Sequence, residues 1–572
     1  MGSLDANCIA SPRGFSPLDI DDFRQQAHQT VEFICEYYKG IESHPVVPQV
    51  EPGYLRRLLP ETPSAQPMPF AKVLSEVQAT VLPGMTHWTN PNFFAYFPAT
   101  LSSAALCGDL LASALNPVAF NWLSSPAVTE LESLTLDWLA QLIRLPKGFL
   151  FSAGGGGVLQ ATTSEAVLCT LVAARKMVLE RAGHDGADKL VVYASDQTHS
   201  TFAKACKIAG IAPANIRIIP TAREDLFSLR PDSLRAAMEA DAAAGLLPAY
   251  VCATVGTTSS TAVDPVAQLA EVAGRFGAWV HVDAAYAGSA CVCPEFRHHL
   301  DGVDRVDSIS MSPHKWLLTG LDCCCLWVRD RARLTTSLST DPEYLKNRAT
   351  ESGLVVDYKD WQIGTGRRFR ALKLFMVMRC YGTANLQSHI RSDVRMARGF
   401  EEMVAADTRF EVVVPRRFAL VCFRMRPRRA GADGEAEADA ANRRLLEEVN
   451  NSGGIYATHT VIGGIYVIRF AVGTTLTEER HVKAAWELFR AKADAAWKQP
   501  GDHAWLRPSF YPRFDLAKPW MGPSPKACNE STSRIDKNPC GRCLRRDFRC
   551  RTTVRCGQTY THFFRFNGCK GV

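Results

Sequence analysis

Ser308-Ile309-Ser310-Met311-Ser312-Pro313-His314-Lys315-Trp316 is a short apolar run that breaks at a proline and delivers a lysine just past the break. A strand that ends in a chemically equipped turn points to an α/β sheet, where ligands gather at the carboxyl ends of the strands. A lysine amine is protonated and unreactive in water. Desolvation beside other polar or cationic groups lowers its pKa until it can attack an aldehyde and form a Schiff base. Ser312 and His314 flank Lys315 with groups suited to a phosphate.

The same pattern recurs outward from this stretch. Apolar runs at 189–194, 216–219, 250–255, 279–282, 308–311 and 323–328 are strand candidates, and helical stretches such as 231–244 and 265–276 separate several of them. Such alternation predicts a mainly parallel sheet. His199, Asp283 and Lys315 all fall just after strand ends. Upstream, apolar residues at helical spacing over 19–38, preceded by Ser16-Pro17, predict an amphipathic arm. Pro45, Pro48 and Pro52 then make an extended connector, and 101–115 and 129–145 read as helices. Downstream, a long helical region runs from 360 toward 392, and strands at 410–414, 420–424 and 466–470 predict a smaller α+β unit. The acidic, alanine-rich segment 431–441 reads as a mobile loop.

His281-Val282-Asp283-Ala284-Ala285-Tyr286 ends another apolar run with a carboxylate placed to keep a pyridine nitrogen protonated. An acid inside such a run needs a cationic partner. The glycine run at 154–157 and the hydroxyls of Thr162-Thr163-Ser164, at a predicted helix start, form a phosphate cradle. Gln197-Thr198-His199-Ser200 adds an imidazole after a strand. Cradle, aromatic lid, carboxylate and lysine follow one another in that order.

This order and these residues resemble the pyridoxal-phosphate-dependent decarboxylases of the aromatic amino acid type, and in particular the plant tryptophan and tyrosine decarboxylases. The likeness extends over most of 15–495 and includes Pro91-Asn92-Phe93-Phe94-Ala95-Tyr96-Phe97-Pro98 and Asp360-Trp361-Gln362-Ile363. It departs in the glycine loop, where the family carries Gly-Thr before the triple glycine and this chain reads Ala153-Gly154. Alanine is unwelcome there if position 153 needs a positive φ.

The resemblance implies a fold-type I homodimer with shared active sites at its interface. It divides the chain into a helical arm and dimerisation segment (1–120), a large cofactor domain (121–395), a small C-terminal α+β domain (396–500) and a basic, cysteine-rich tail (501–572). Pyridoxal 5′-phosphate is the implied cofactor, bound through Lys315. Asp283 would hold the ring nitrogen and His199 would stack on the ring. Thr163, Ser164, Ser312 and His314 match phosphate positions; Thr254 and Ala285 match positions near the ring and its substituents. Trp88, Tyr96, Phe97, Pro98, Val118, Phe120 and Gly366 match the substrate side, and no arginine among them invites a distal carboxylate. Relatives acting on indolic substrates carry glycine at the position of Gly366, and those acting on phenolic ones tend to carry serine. That favours tryptophan, converted to tryptamine and CO2, over tyrosine or DOPA; a turn glycine is the bland alternative. Tyr344 matches the partner-donated tyrosine that protonates the substrate carbon, whereas relatives with phenylalanine there make aldehydes with oxygen. The bland alternative for Tyr344 is a loop aromatic packed on the surface.

Composition bounds the rest. The 572 residues are 47% hydrophobic, and no apolar run nears the roughly 20 residues that span a bilayer. With no signal-peptide pattern at the start, the expected location is the cytoplasm. Net charge is +7, but 521–572 alone carries +8, leaving the remainder at −1, so no nucleic-acid partner is expected for the main body. A catalytically silent relative with a nucleic-acid-binding tail is the competing class, and the complete cofactor set argues against it. Most of the cysteines before residue 500 sit in apolar runs, as in Cys323-Cys324-Cys325, and read as small buried hydrophobes. No metal site is expected. Cys540 and Cys543 have only the spacing of half a zinc site.

Overall fold

Five of the continuous apolar runs of the larger sheet are strands buried almost throughout, and the run at 216–219 is a partly exposed edge strand. The computed structural model describes residues 16–497, and its larger sheet has seven strands: β1 (Gly156–Gln160), β2 (Leu190–Ser195), β3 (Ile216–Ile219), β4 (Leu247–Thr254), β5 (Trp279–Asp283), β6 (Ser308–Met311) and β7 (Cys324–Val328). Their order is β1-β7-β6-β5-β4-β2-β3. β3, β2, β4, β5 and β6 run parallel, and β7 is antiparallel to both of its neighbours, β6 and β1. Along β2, Val191 and Tyr193 enter one hydrophobic cluster while Leu190, Val192 and Ala194 enter another. Apolar side chains are needed on both sides, so the strand shows no polar alternation.

Past Ala406 a second, four-stranded sheet is antiparallel throughout. It comprises β8 (Phe410–Val412), β9 (Leu420–Met425), β10 (Thr458–Ile462) and β11 (Ile465–Ala471), packed with the helices Ala371–Ala406, Ala432–Asn451 and Glu479–Ala496. The first of these helices is broken at Gly382, where φ is 64°.

The structure corrects three expectations. Residues 431–441 are not a mobile loop: Ala432–Asn451 is a helix that buries Ala438, Ala441, Leu445, Leu446 and Val449 at helical spacing. Its alanines and glutamates are strong helix formers, and an acidic outer face had masked the apolar stripe. The N-terminal helix, Ile20–Lys39, is capped by Asp19, whose carboxylate accepts the N–H groups of Asp21 and Asp22; Ser16 is not the cap. The second half of the glycine run, Gly156-Gly157, is strand. It pairs antiparallel with β7 from Gly156 onward. Added Cβ atoms at Gly155 would collide with the carbonyl oxygens of Gly148 and Val328, and at Gly157 would reach 2.8 Å from Trp327. The left-handed turn falls on Gly154, φ 87°, and Ala153 closes a 3-10 turn without a positive φ. The glycines therefore serve close packing.

One polar anchor lies inside this packing. Arg367 and Glu132, each with a side chain 1% exposed, are 2.6 Å apart. Arg367 also donates to the Leu159 carbonyl and to Gln362, and its guanidinium lies 4.4 Å from the Tyr358 ring centroid. Removing one member of such a pair leaves the other charge buried and uncompensated. Glu132→Gln is expected to cost about 3–5 kcal/mol of stability, measured as a fall in the urea midpoint of the purified protein. A loss under about 1 kcal/mol would mean that the remaining hydrogen bonds satisfy the guanidinium.

Candidate active site

The carboxyl ends of β2, β4, β5 and β6 and one helix start converge on a cavity of about 230 Å³. Lys315 reaches it from the short helix Pro313–Trp316, directly after β6. Burial pushes its amine below the ordinary lysine value, against the opposing pull of the nearby Asp283 carboxylate. Asp283 is the last residue of β5 and is 6% exposed. Its carboxylate accepts the Ala285 N–H at 3.0 Å, and Ala285 also lines the cavity.

Another part of the lining suits an anion. The helix Thr163–Ala182 begins after Thr162, which is extended and makes no side-chain capping hydrogen bond. The N–H groups of Thr163 and Ser164 have no hydrogen-bond partner among the described residues, and the helix dipole adds to their attraction for phosphate. Thr163 Oγ1 lies 2.9 Å from Ser312 Oγ, and Ser164 Oγ lies 3.0 Å from Thr201 Oγ1. Thr163 and Ser164 line the cavity, whereas Ser312 is paired with Thr163 and is not itself among the lining residues. His314, the fourth predicted phosphate residue, accepts the Cys323 N–H at Nδ1, 3.0 Å away. Burial pushes its pKa down to about 4, so near neutrality it is an uncharged ring with its proton on Nε2.

His199 is held in the same way. Its Nδ1 accepts the Thr201 N–H at 3.2 Å, leaving a proton on Nε2, and burial together with Lys315 lowers its pKa. Thr254 also lines the cavity, and its Oγ1 is buried with no hydrogen-bond partner among the described residues. The glycine run does not reach the cavity.

The substrate-side residues are scattered. Phe97 lines the cavity, with Lys315 Nζ 5.7 Å from its ring centroid. Tyr96 lines an adjoining chamber that shares Thr258 with the first, and stacks on Trp88 at 5.5 Å between centroids. Pro98 is buried beside Gly473. Val118 and Gly366 line a separate cavity of about 420 Å³, and Phe120 is half-buried outside the first. Tyr344 is 83% exposed, in a single 3-10 turn, Glu343–Leu345. It is therefore not packed on the surface of its own chain.

Sequence reasoning missed Thr201, Gly256 and Thr258, which line the cavity, and Arg469. Arg469, on β11, is buried, and its guanidinium lies 5.2 Å from the Phe97 ring centroid. Nη1 reaches Thr458 Oγ1 at 3.3 Å, while Nε and Nη2 have no partner among the described residues. The available signal was an arginine inside the apolar run Ile465-Tyr466-Val467-Ile468-Arg469-Phe470-Ala471.

The profile of the pyridoxal-dependent decarboxylase conserved domain matches residues 52–426. The chain belongs to that family. This decarboxylase is 60% identical over 496 residues to a tryptophan decarboxylase of Camptotheca acuminata, covering 86% of the present chain and 99% of the relative. It is 54% identical over 482 residues to a phenylacetaldehyde synthase of Petunia hybrida, with 84% and 95% covered. The crystal structure of the Oryza sativa enzyme TDC with PLP and tryptamine matches with a TM-score of 0.83 and 61% identity, covering 85% of the decarboxylase and all of that chain. The cofactor of the decarboxylase is pyridoxal 5′-phosphate. The residues present fit it: a buried carboxylate suited to a protonated ring nitrogen, an orphaned buried hydroxyl on Thr254, an uncapped helix start with clustered hydroxyls, and a desolvated lysine open onto one cavity. Among the described residues no helix is long and apolar enough to cross a membrane, and no group of three or more His, Cys, Asp or Glu is placed to hold a metal. The tail cysteines lie outside the described residues.

Proposed function

We propose that this enzyme decarboxylates L-tryptophan to tryptamine and CO2, at two active sites shared between the copies of a homodimer. The observation that carries the reaction class is the convergence of Lys315, Asp283 and the uncapped helix start on one cavity. Bound there, pyridoxal phosphate supplies an electron sink for the pair of electrons left when CO2 departs.

The side chains divide the remaining work. The helix start at Thr163, with Ser164, Ser312 and the Nε2–H of His314, holds the phosphate. Lys315 would hold the cofactor covalently through its aldehyde and would give up that place to the substrate amine. Asp283 keeps a proton on the ring nitrogen. His199 presents Nε2–H to the bound ring and substrate. Arg469 offers its two unpartnered nitrogens to the substrate carboxylate. Tyr344 supplies the proton that the substrate carbon needs once CO2 has left.

The homodimer reading is supported by what one chain leaves unfinished. Gly366 and Val118 line a cavity apart from Lys315, and Tyr344 projects from its own chain. Shared active sites give all three a role, each completing the partner's cavity. Gly366 has no positive φ, and a Cβ added there meets nothing within 4 Å in its own chain. Its backbone and its own neighbours do not require glycine, so the turn-glycine explanation loses its basis. The need for space then lies outside the chain, in the substrate slot, and the tryptophan decarboxylase names of the relatives point the same way.

Gly366→Ser is expected to lower kcat/KM for tryptophan relative to tyrosine by roughly 5- to 150-fold, corresponding to about 1–3 kcal/mol of discrimination. Steady-state assays on both substrates check this. An unchanged ratio would remove Gly366 from the substrate slot.

A further inference from the structure

From the cavity wall, where Phe97 and Tyr286 both line it, three aromatic rings form a continuous stack. Phe97 lies on Tyr286 with centroids 3.8 Å apart and planes 11° from parallel, and Tyr286 lies on Trp316 at 4.8 Å and 6°. The cavity end of the stack is Phe97, which has Lys315 Nζ at 5.7 Å and the Arg469 guanidinium at 5.2 Å from its centroid. The far end is tied down by one hydrogen bond: Trp316 Nε1 donates to Asp393 Oδ2 at 2.7 Å.

Asp393 sits on the helix Ala371–Ala406 and is 3% exposed. Its nearest ionisable partner is His389 Nε2, 3.6 Å from the same oxygen. A carboxylate so deeply placed is costly unless it is hydrogen-bonded, and burial raises its pKa. The cost falls on a group that holds the residue next to Lys315. Trp316 also closes the four-residue helix that carries the lysine, so the direction of Lys315 and the placement of the ring beneath its amine share one anchor.

We infer that Asp393 is a positioning residue for the reaction: its hydrogen bond to Trp316 fixes the stack Trp316–Tyr286–Phe97 and, through the peptide joining Trp316 to Lys315, the angle at which Lys315 enters the cavity. Asp393 touches neither cofactor nor substrate, and it acts through Trp316. A small misplacement of the amine is enough to slow the reaction strongly. The inference rests on the assignment of Lys315 as the cofactor lysine.

The test uses the full-length holoenzyme and four variants: Trp316→Phe, which keeps a ring in the stack but removes the donor, Asp393→Leu, Asp393→Asn, and the double variant Trp316→Phe/Asp393→Leu. Trp316→Phe and Asp393→Leu are each expected to lower kcat for tryptophan roughly 10- to 100-fold, with KM within about twofold, and to shift the visible band of the Lys315-bound cofactor. Asp393→Asn keeps an oxygen acceptor and is expected to retain most of kcat. The double variant is expected to be no slower than the slower single one, because both changes break the same link. If Asp393→Leu does not fold, Trp316→Phe alone decides. A folded Trp316→Phe enzyme with unchanged kcat and band overturns the inference, as do additive losses in the double variant. Absence of any Lys315-dependent band in the unsubstituted holoenzyme would instead overturn the assignment of Lys315.

Discussion

Lys315→Ala removes the visible absorbance band of the covalently held cofactor and lowers tryptophan turnover by at least roughly 1,000-fold, as loss of a covalent-catalysis residue does. The expectation follows from the cavity. Lys315 is the lysine that lines it, and burial has already shifted its amine toward the reactive neutral form. Its loss leaves the phosphate end intact, because the helix start at Thr163 and the hydroxyls of Ser164 and Ser312 do not depend on it. The variant should therefore still bind pyridoxal phosphate, but dialysis should remove it. Borohydride treatment followed by peptide mapping checks the assignment. A reduced adduct on another lysine of the variant would contradict it.

Tyr344→Phe should change the product more than the rate of CO2 release. Once CO2 has gone, the electron-rich α-carbon needs a proton, and an acid brought by a closing loop supplies it while excluding water. General acids of this kind contribute roughly 100- to 10,000-fold to their step, so loss of the hydroxyl leaves time for oxygen to react at that carbon. The expected products are the indole aldehyde, ammonia and hydrogen peroxide, with one O2 consumed per CO2 released. The exposure of Tyr344 fits a residue whose partner is another subunit. Tryptamine formed at the original rate would show that the proton comes from elsewhere.

The parts of this fold that were legible in the sequence are those decided locally. Six of the larger sheet's strands appear as apolar runs, five because they are buried almost throughout and β3 although Ile218 is half exposed; His199 and Lys315 could be placed because they come after β2 and β6, and Asp283 because it ends β5. β1 was hidden, since four successive glycines look like a loop until the close approach of Gly148, Val328 and Trp327 is seen. The helix Ala432–Asn451 was hidden by its acidic face.

The substrate side was the least legible, for a different reason. Val118, Gly366 and Tyr344 do not meet Lys315 within one chain; in the proposed homodimer they would act through contacts between copies, of which sequence patterning carries no record. Arg469 escaped because a charged residue in an apolar strand looks like an interruption. Its burial over Phe97, with two unpartnered nitrogens, gives it meaning.

The most direct test of the account is product analysis. The purified full-length enzyme, loaded with pyridoxal phosphate, is given L-tryptophan, L-tyrosine, L-DOPA and L-phenylalanine separately in air, with amine, aldehyde, CO2 and O2 measured together. The account predicts tryptamine and CO2 in equal amounts, no oxygen uptake, and a higher kcat/KM for tryptophan than for any of the other three. Aldehyde formed with oxygen consumption, or a preference for a phenolic substrate, would contradict it.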